Sequence, residues 1–386
     1  MKMRRILTML MVSLLLASLF AGCGPQGAEP TAAPTAPKQT EPTEAPAVPV
    51  GIDMHHDVGV TINQQSKITD EVVQLLKDHG ITYVRIVFPY PFMADGLTPN
   101  AGYMMAKRVA TQFHDAGIKV MGQTMWPGGM GYNATSGQVE WTSYYPNVFT
   151  DYDDDYFYKM AKSSCKYLAK DLKDICNTWL ISNEPDISTY TGPMTFQQIT
   201  RFLEESAMGI KEGNPNATCG INMLVEVWEA YSLKFVRELY DEDSVFDWLG
   251  LDGYYATLQA GGPETWEYYI NTFYEEAQVP IVITEWSYSS AEKDPLGTCK
   301  HQWADHGPRG PEVQAEYVTA CMEIFCNHPE VIGTFWYALH NEDGICWECG
   351  QPECNLYSSW GLLNVDSTEK PALDAMLEAS KVFREK

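Results

Sequence analysis

Basic side chains are scarce in this chain. Only 26 Lys and Arg stand against 51 Asp and Glu, and the formal net charge is −25. No basic face is visible, which argues against a nucleic-acid partner, because phosphate binding needs one. The acid excess favours a neutral or cationic ligand over an anionic one and names no substrate. The apolar run from Ile6 to Ala21 is too short to span a bilayer comfortably. There is no second linker to divide residues 51–386. What the chain does have is apolar bulk: 45% of its 386 residues are hydrophobic and 12% aromatic, enough to bury a large core. A flexible or fibrous chain is thereby excluded. The length fits one large domain or two to three small ones.

The N-terminus is expected to lie outside the fold. Lys2, Arg4 and Arg5 precede the apolar run, which ends in Phe20-Ala21-Gly22-Cys23. This order of charge, apolar segment and small residues is that of a signal peptide. It resembles a bacterial lipoprotein cleavage box, which implies cleavage before Cys23 and lipid on its sulfur. An ordinary secretory signal or an uncleaved anchor stays open. From Gly24 to Val50 prolines recur at 25, 30, 34, 37, 42, 46 and 49. No packed element survives that density, so residues 23–50 read as a semi-extended tether. The expected organisation is a leader (1–22), a tether (23–50) and a folded domain (51–386). That places a monomer on the extracellular face of a bacterial membrane, lipid-anchored or secreted, touching the membrane only through its N-terminal lipid.

Beyond Val50, short apolar runs alternate with helical patterns. Strands are expected at Val50 to Met54, Thr82 to Pro89, Ile118 to Thr124, Thr178 to Ser182, Ala217 to Met223, Phe246 to Asp252, Val279 to Thr284 and Val331 to Ala338. Helical spacing fills the intervals, with Gly80 and Gly117 closing two of the helices. Eight such alternations predict an α/β fold, a (β/α)8 TIM barrel. From the fourth strand's end near 184 to the seventh's near 285 is 101 residues, about 34 for each of three units and close to the roughly 31 per unit of such barrels. The competing architecture is an open doubly wound sheet in two lobes.

In a barrel, function sits where strands end. The fourth strand runs into Ser182-Asn183-Glu184-Pro185 and the seventh into Thr284-Glu285-Trp286. Each is an apolar strand terminating in a carboxylate, which is costly to bury unless paired or used. Strands four and seven lie across the mouth of an eight-stranded barrel, where two carboxylates can converge on one bond. A glycosidic bond needs two such groups: one protonated to protonate the leaving oxygen, one ionised to attack the anomeric carbon.

Asn-Glu-Pro ending strand four, with Glu ending strand seven, resembles glycoside hydrolase clan A, the retaining (β/α)8 glycosidases. The local texture is similar to families 5 and 39. The resemblance implies that Glu184 is the general acid/base and Glu285 the nucleophile. It implies that Asn183 hydrogen-bonds the sugar 2-hydroxyl, and that Arg85 on strand two lies beside the nucleophile and keeps it ionised. Tyr254 matches a tyrosine whose hydroxyl reaches the nucleophile. Trp336 matches the aromatic floor under the sugar. Asp252 departs from the pattern, standing where these families often carry His. The implied activity needs no cofactor and its partner is a carbohydrate.

Eleven Trp and 22 Tyr are many for this length, and sugars stack their C–H faces on such rings. Trp126, Trp141, Tyr144, Tyr145, Trp286 and Trp336 are expected at or beyond strand ends, whereas Trp179, Trp248 and Trp266 read as core. His55 and His56 are expected to end strand one, near His340 after strand eight. A sugar contact by His55 or a structural role is favoured there over a metal site, and no metal is assigned. Asp151, Asp153, Asp154 and Asp155 resemble the start of a calcium loop, but Lys162 stands where the bidentate Glu is needed. Cys165, Cys176, Cys219, Cys321 and Cys326 read as small core residues. Cys299, Cys346, Cys349 and Cys354 could form two disulfides or a zinc site, the former favoured. The expected activity is a retaining glycosidase acting on β-linkages of a polysaccharide or oligosaccharide. The competing class is a non-catalytic glycan-binding lipoprotein that feeds a transporter.

Overall fold

In a computed structural model the described residues are 51–93, 95–133, 138–145, 152–225, 229–291, 309–342 and 355–385. The expected leader, tether and Cys23 lie outside them, as do Asp151 and Cys299, Cys346, Cys349 and Cys354. Among the described residues ten strands are formed: β1 (Asp57–Thr61), β2 (Tyr83–Val87), β3 (Lys119–Gln123), β4 (Gly128–Asn133), β5 (Gln138–Ser143), β6 (Thr178–Leu180), β7 (Thr218–Leu224), β8 (Trp248–Gly253), β9 (Ile281–Trp286) and β10 (Val331–Trp336). Eight of them, all parallel, close a barrel in the order β1-β2-β3-β6-β7-β8-β9-β10. The fold is therefore the (β/α)8 barrel that the alternation predicts. Because every strand runs the same way, all eight C-terminal ends share one mouth. The fourth barrel strand is β6 and the seventh is β9.

The helices are α1 (Asp70–Asp78), α2 (Ala101–Asp115), α3 (Asp155–Asp171), α4 (Ser188–Thr191), α5 (Phe196–Gly213), α6 (Glu229–Leu239), α7 (Thr265–Ala277), α8 (Pro311–Cys326) and α9 (Pro371–Phe383). Their starts are chemically marked. Thr69 caps α1, Asn100 caps α2, and Thr195 with Gln198 forms a reciprocal capping box on α5. Asp154 caps α3, and Asp155 in its first turn pairs with Arg201 at 2.5 Å. The acids near residue 153 thus serve a helix start. Among the described residues no helix is long and apolar enough to cross a membrane.

Two apolar layers hold the barrel. The larger lies between sheet and helices. The smaller fills the interior with Tyr83, Met121, Leu180, Trp248, Val282 and Phe335. Large rings there sit beside glycines on the neighbouring strand. A Cβ on Gly220 would meet the Trp248 indole at 2.3 Å, and one on Gly59 would meet Phe335 at 2.5 Å. Close packing of this kind leaves no room for a methyl group.

The first strand differs from expectation. It is Asp57–Thr61, not Val50 to Met54. Ile52 and Met54 are apolar because they fill the barrel's interior from its base, not because they pair in the sheet. Strand β1 itself reads D-V-G-V-T, and its glycine accommodates Phe335.

Candidate active site

Strand β6 delivers Asn183 and Glu184, β8 delivers Asp252 and Tyr254, and β9 delivers Glu285 to the same mouth. Glu184 and Glu285 are 6% and 7% exposed, and Asp252 is wholly buried. One carboxylate oxygen from each lies within 4.8 Å of the others. Three carboxylates so close need a counter-charge or a proton. Arg85, on β2 and buried, pairs through Nη2 with Glu285 Oε1. Tyr254 donates its hydroxyl to Glu285 Oε2. The guanidinium thus supplies a positive charge beside one of these acids.

Glu184 is set differently. Burial comes first and the charges of Glu285, Asp252 and Asp186 follow; together they push its carboxyl well above the usual range, against the pull of Arg85. Its backbone takes φ +34°, and that of Ser182 +68°, a region that costs a non-glycine residue about 1–3 kcal/mol. Side chains hold this turn in place. The Glu184 N–H donates to Asn222 Oδ1 at 2.9 Å, and the Ser182 N–H to Thr124 Oγ1 at 2.9 Å.

The same contacts orient Asn183. Since Asn222 Oδ1 accepts a backbone N–H, Asn222 must point its amide nitrogen the other way, towards Asn183 Oδ1 at 3.3 Å and Asp252 Oδ2 at 2.5 Å. Asn183 Oδ1 also accepts from Gln123 Nε2 at 2.9 Å. Asn183 Nδ2 therefore faces Glu184 Oε2, at 3.2 Å, as a donor at the mouth.

Other expected site residues lie elsewhere. His55 and His56 precede β1, at the end of the barrel opposite the glutamates. His55 N–H donates to Asp57 Oδ2 at 3.1 Å, and His56 sits edge-on to Phe383 of α9. They cannot meet His340, which follows β10, and a sugar contact by His55 is corrected by the later start of β1. Trp286 and Trp336 are wholly buried, edge to face with each other at 4.9 Å. Trp286 packs on Phe325 of α8 at 5.2 Å, so both rings lie in the layer between sheet and helices. Side chains alternate along a strand, so Glu285 facing inward turns Trp286 outward. Trp336 is not a floor for a ligand; its Nε1 donates to the Trp360 carbonyl at 2.9 Å. Tyr145 is core, edge-on to Phe157 and Phe202. Trp179, Trp248 and Trp266 are wholly buried, and so to within 1% are Cys165, Cys176, Cys219 and Cys321.

Aromatic rings do reach the mouth, from less predictable positions. Tyr337, one residue past Trp336, and Trp360 flank Tyr254 at 6.2 and 5.5 Å between ring centres. Tyr190 of α4 lies within the field of both glutamates, and burial together with those charges pushes its hydroxyl well up. Trp126, half-buried beyond β3, stands edge-on to Tyr190 at 5.4 Å and to Tyr144 at 6.0 Å. An aromatic stripe therefore runs from the Glu184 side outwards. Asn222 could have been suspected as a polar residue inside an apolar strand. Nothing local marks Trp360, which comes from the C-terminal loop.

No protein-family model matches the sequence, and no curated protein does. Solved structures match in fold. A GH5_18 glycoside hydrolase from Streptomyces cattleya, in complex with GlcNAc, is 17% identical with TM-score 0.63 over 86% of this chain and 80% of its own. The GH53 catalytic domain of Ignisphaera aggregans is 15% identical with TM-score 0.58, covering 87% of this chain and 99% of its own. A family 39 glycoside hydrolase from the gut symbiont Bacteroides cellulosilyticus WH2 is 17% identical with TM-score 0.56, covering 87% and 65%. At these identities the likeness establishes the barrel.

Proposed function

We propose that the chain is a retaining glycoside hydrolase that cleaves β-glycosidic bonds of a polysaccharide or oligosaccharide. One observation carries the reading: two buried glutamates with oxygens within 4.8 Å sit in opposite electrostatic settings. Glu285 is paired with Arg85 and Tyr254, as a nucleophile requires. Glu184 is disfavoured as an anion, as a general acid requires. The closeness fits the roughly 5–5.5 Å carboxyl separation of retaining enzymes, not the wider gap that admits a water between them.

In this reading Glu184 gives its proton to the glycosidic oxygen while a Glu285 oxygen attacks the anomeric carbon. The bond to the leaving sugar breaks and a glycosyl ester on Glu285 forms. Glu184, now ionised, takes a proton from water. That water attacks the anomeric carbon and returns Glu285 as a carboxylate. A sugar hydroxyl in place of water gives transglycosylation. Asn183 Nδ2 is the donor placed for a sugar 2-hydroxyl. A Streptomyces cattleya GH5_18 variant with similar fold was solved with Manβ1-4GlcNAc, which supports a β-linked substrate. Lipid on Cys23 would hold the enzyme at the extracellular face of the membrane; labelled fatty acid incorporated into wild type and lost in Cys23→Ala tests that.

The decisive experiment is a panel of xylan, mannan, β-glucan and galactan with sized products, followed by Glu285→Ala on the cleaved one. Turnover should nearly vanish, and azide should restore part of it with the anomeric configuration inverted. Unchanged turnover in Glu285→Ala refutes the assignment. Tight sugar binding without product, indifferent to both glutamates, would favour a glycan-binding lipoprotein.

A further inference from the structure

Asp252 is the one member of the carboxylate cluster to which the mechanism above gives no task. It is wholly buried, and each of its oxygens is engaged. Oδ2 accepts from Asn222 Nδ2 at 2.5 Å, and Oδ1 lies 2.5 Å from Thr284 Oγ1. Thr284 Oγ1 in turn lies 3.4 Å from the Leu251 carbonyl. Asn222 carries the influence of Asp252 across the mouth. Its other atoms hold the Glu184 N–H and Asn183 Oδ1, so Asp252 is two hydrogen bonds from both the proton donor and the sugar-facing amide.

Among the described residues five titratable groups face Asp252: Glu285 on β9, Glu184 after β6, Arg85 on β2, Tyr254 just beyond its own strand and Tyr190 on α4. One guanidinium among three carboxylates leaves an excess of negative charge in a buried site, unless protons are held there. Glu285 already has the guanidinium.

We propose that Asp252 is the positioning residue of the acid/base half of the site, acting as a neutral carboxylic acid. Its Oδ2 fixes Asn222 and, through it, Glu184 and Asn183. Thr284 Oγ1 has one hydrogen for two acceptors, Asp252 Oδ1 and the Leu251 carbonyl. With Oδ1 protonated, the Asp252 O–H donates a hydrogen bond to Thr284 Oγ1 and the threonine O–H donates to the Leu251 carbonyl. The residue thereby orients the acid/base without placing a second negative charge beside Glu285. Burial first, and the Glu285 charge second, push the Asp252 carboxyl well above its ordinary range, in keeping with this.

The kinetic test rests on the glycosidase reading; the spectroscopic one does not. Asp252→Asn keeps the shape, an acceptor for Asn222 and a donor for Thr284. It should hold kcat/KM within about threefold of wild type and leave both limbs of the pH profile in place. Asp252→Ala should lower kcat by about 10²-fold with KM little changed. An Asp252→Asn enzyme as impaired as Asp252→Ala, or one with a displaced acidic limb, overturns the proposal, as does an Asp252→Ala enzyme with normal kcat. Infrared spectra of the Glu184→Gln protein at neutral pH supply the independent arm. Asp186 gives a protonated carboxyl band in both proteins, so the reading is the difference: a buried protonated carboxyl band present in Glu184→Gln and lost in Glu184→Gln/Asp252→Asn belongs to Asp252. No such difference between the two spectra shows Asp252 ionised and overturns the proposal, whether or not any glycan is cleaved.

Discussion

Trp141 lies so close over Gly192 that a Cβ there would meet the indole ring at 2.4 Å. Gly192 also takes φ +58°, which favours glycine. The contact docks the β4–β5 hairpin onto the segment that follows Glu184, and Trp141 Nε1 is anchored on the Tyr152 hydroxyl at 2.6 Å. Trp141 is therefore a structural ring and not a ligand platform. Gly192→Val should destabilise the protein by about 1–3 kcal/mol in urea unfolding. A neutral result would mean that the hairpin is not held by this contact.

Trp126 stands on the Glu184 side, where a leaving sugar would depart. Replacing it with Ala should raise KM for an oligosaccharide by about tenfold, the worth of one stacking contact, with kcat less affected. Turnover of an aryl glycoside whose leaving group is no sugar should change little. Equal losses on both substrates would place Trp126 in the framework of the site.

Arg85 and Glu285 form a buried ion pair, so removing one partner strands the other. Arg85→Met should cost about 3–5 kcal/mol of stability. Much of that should return in Arg85→Met/Glu285→Gln, where neither charge is left. Denaturant titration of the four proteins of the cycle gives the coupling. Additive losses would show that the two charges do not depend on each other.

The barrel was legible because strand and helix patterns alternate at a near-constant interval, and the two glutamates because each closes an apolar run. Local patterns failed where one residue of register decides the face. Trp336 and Tyr337 are adjacent and aromatic, yet Trp336 points to the helices while Tyr337 flanks Tyr254. Register slips along β10, where its pairing with β9 is irregular, and sequence carries no mark of that. The start of β1 was hidden by Ile52 and Met54, apolar residues that fill the base without pairing. Asn222 and Thr284 act only through partners on other strands, so their roles emerge once the barrel closes.

Asp186, two residues beyond Glu184, gives a test of stability against pH. It is buried and accepts from Ser232 Oγ at 2.5 Å and from the Leu224 N–H at 3.4 Å. Burial raises its carboxyl to about 7, with those hydrogen bonds opposing. In the unfolded chain it titrates near 4. Between about pH 4 and 7 the folded protein therefore keeps a proton that the unfolded chain has lost, and stability falls as pH rises through that window. Asp186→Asn has no proton to lose. Its stability relative to wild type should climb from pH 4 to pH 7, by at most roughly 4 kcal/mol. Urea unfolding of both proteins across that range measures the difference. If it stays flat, Asp186 titrates alike in both states; if it falls with pH, the fold prefers the anion. Either outcome would leave Asp186 an anion at neutral pH and so keep it among the charges that hold the Glu184 proton.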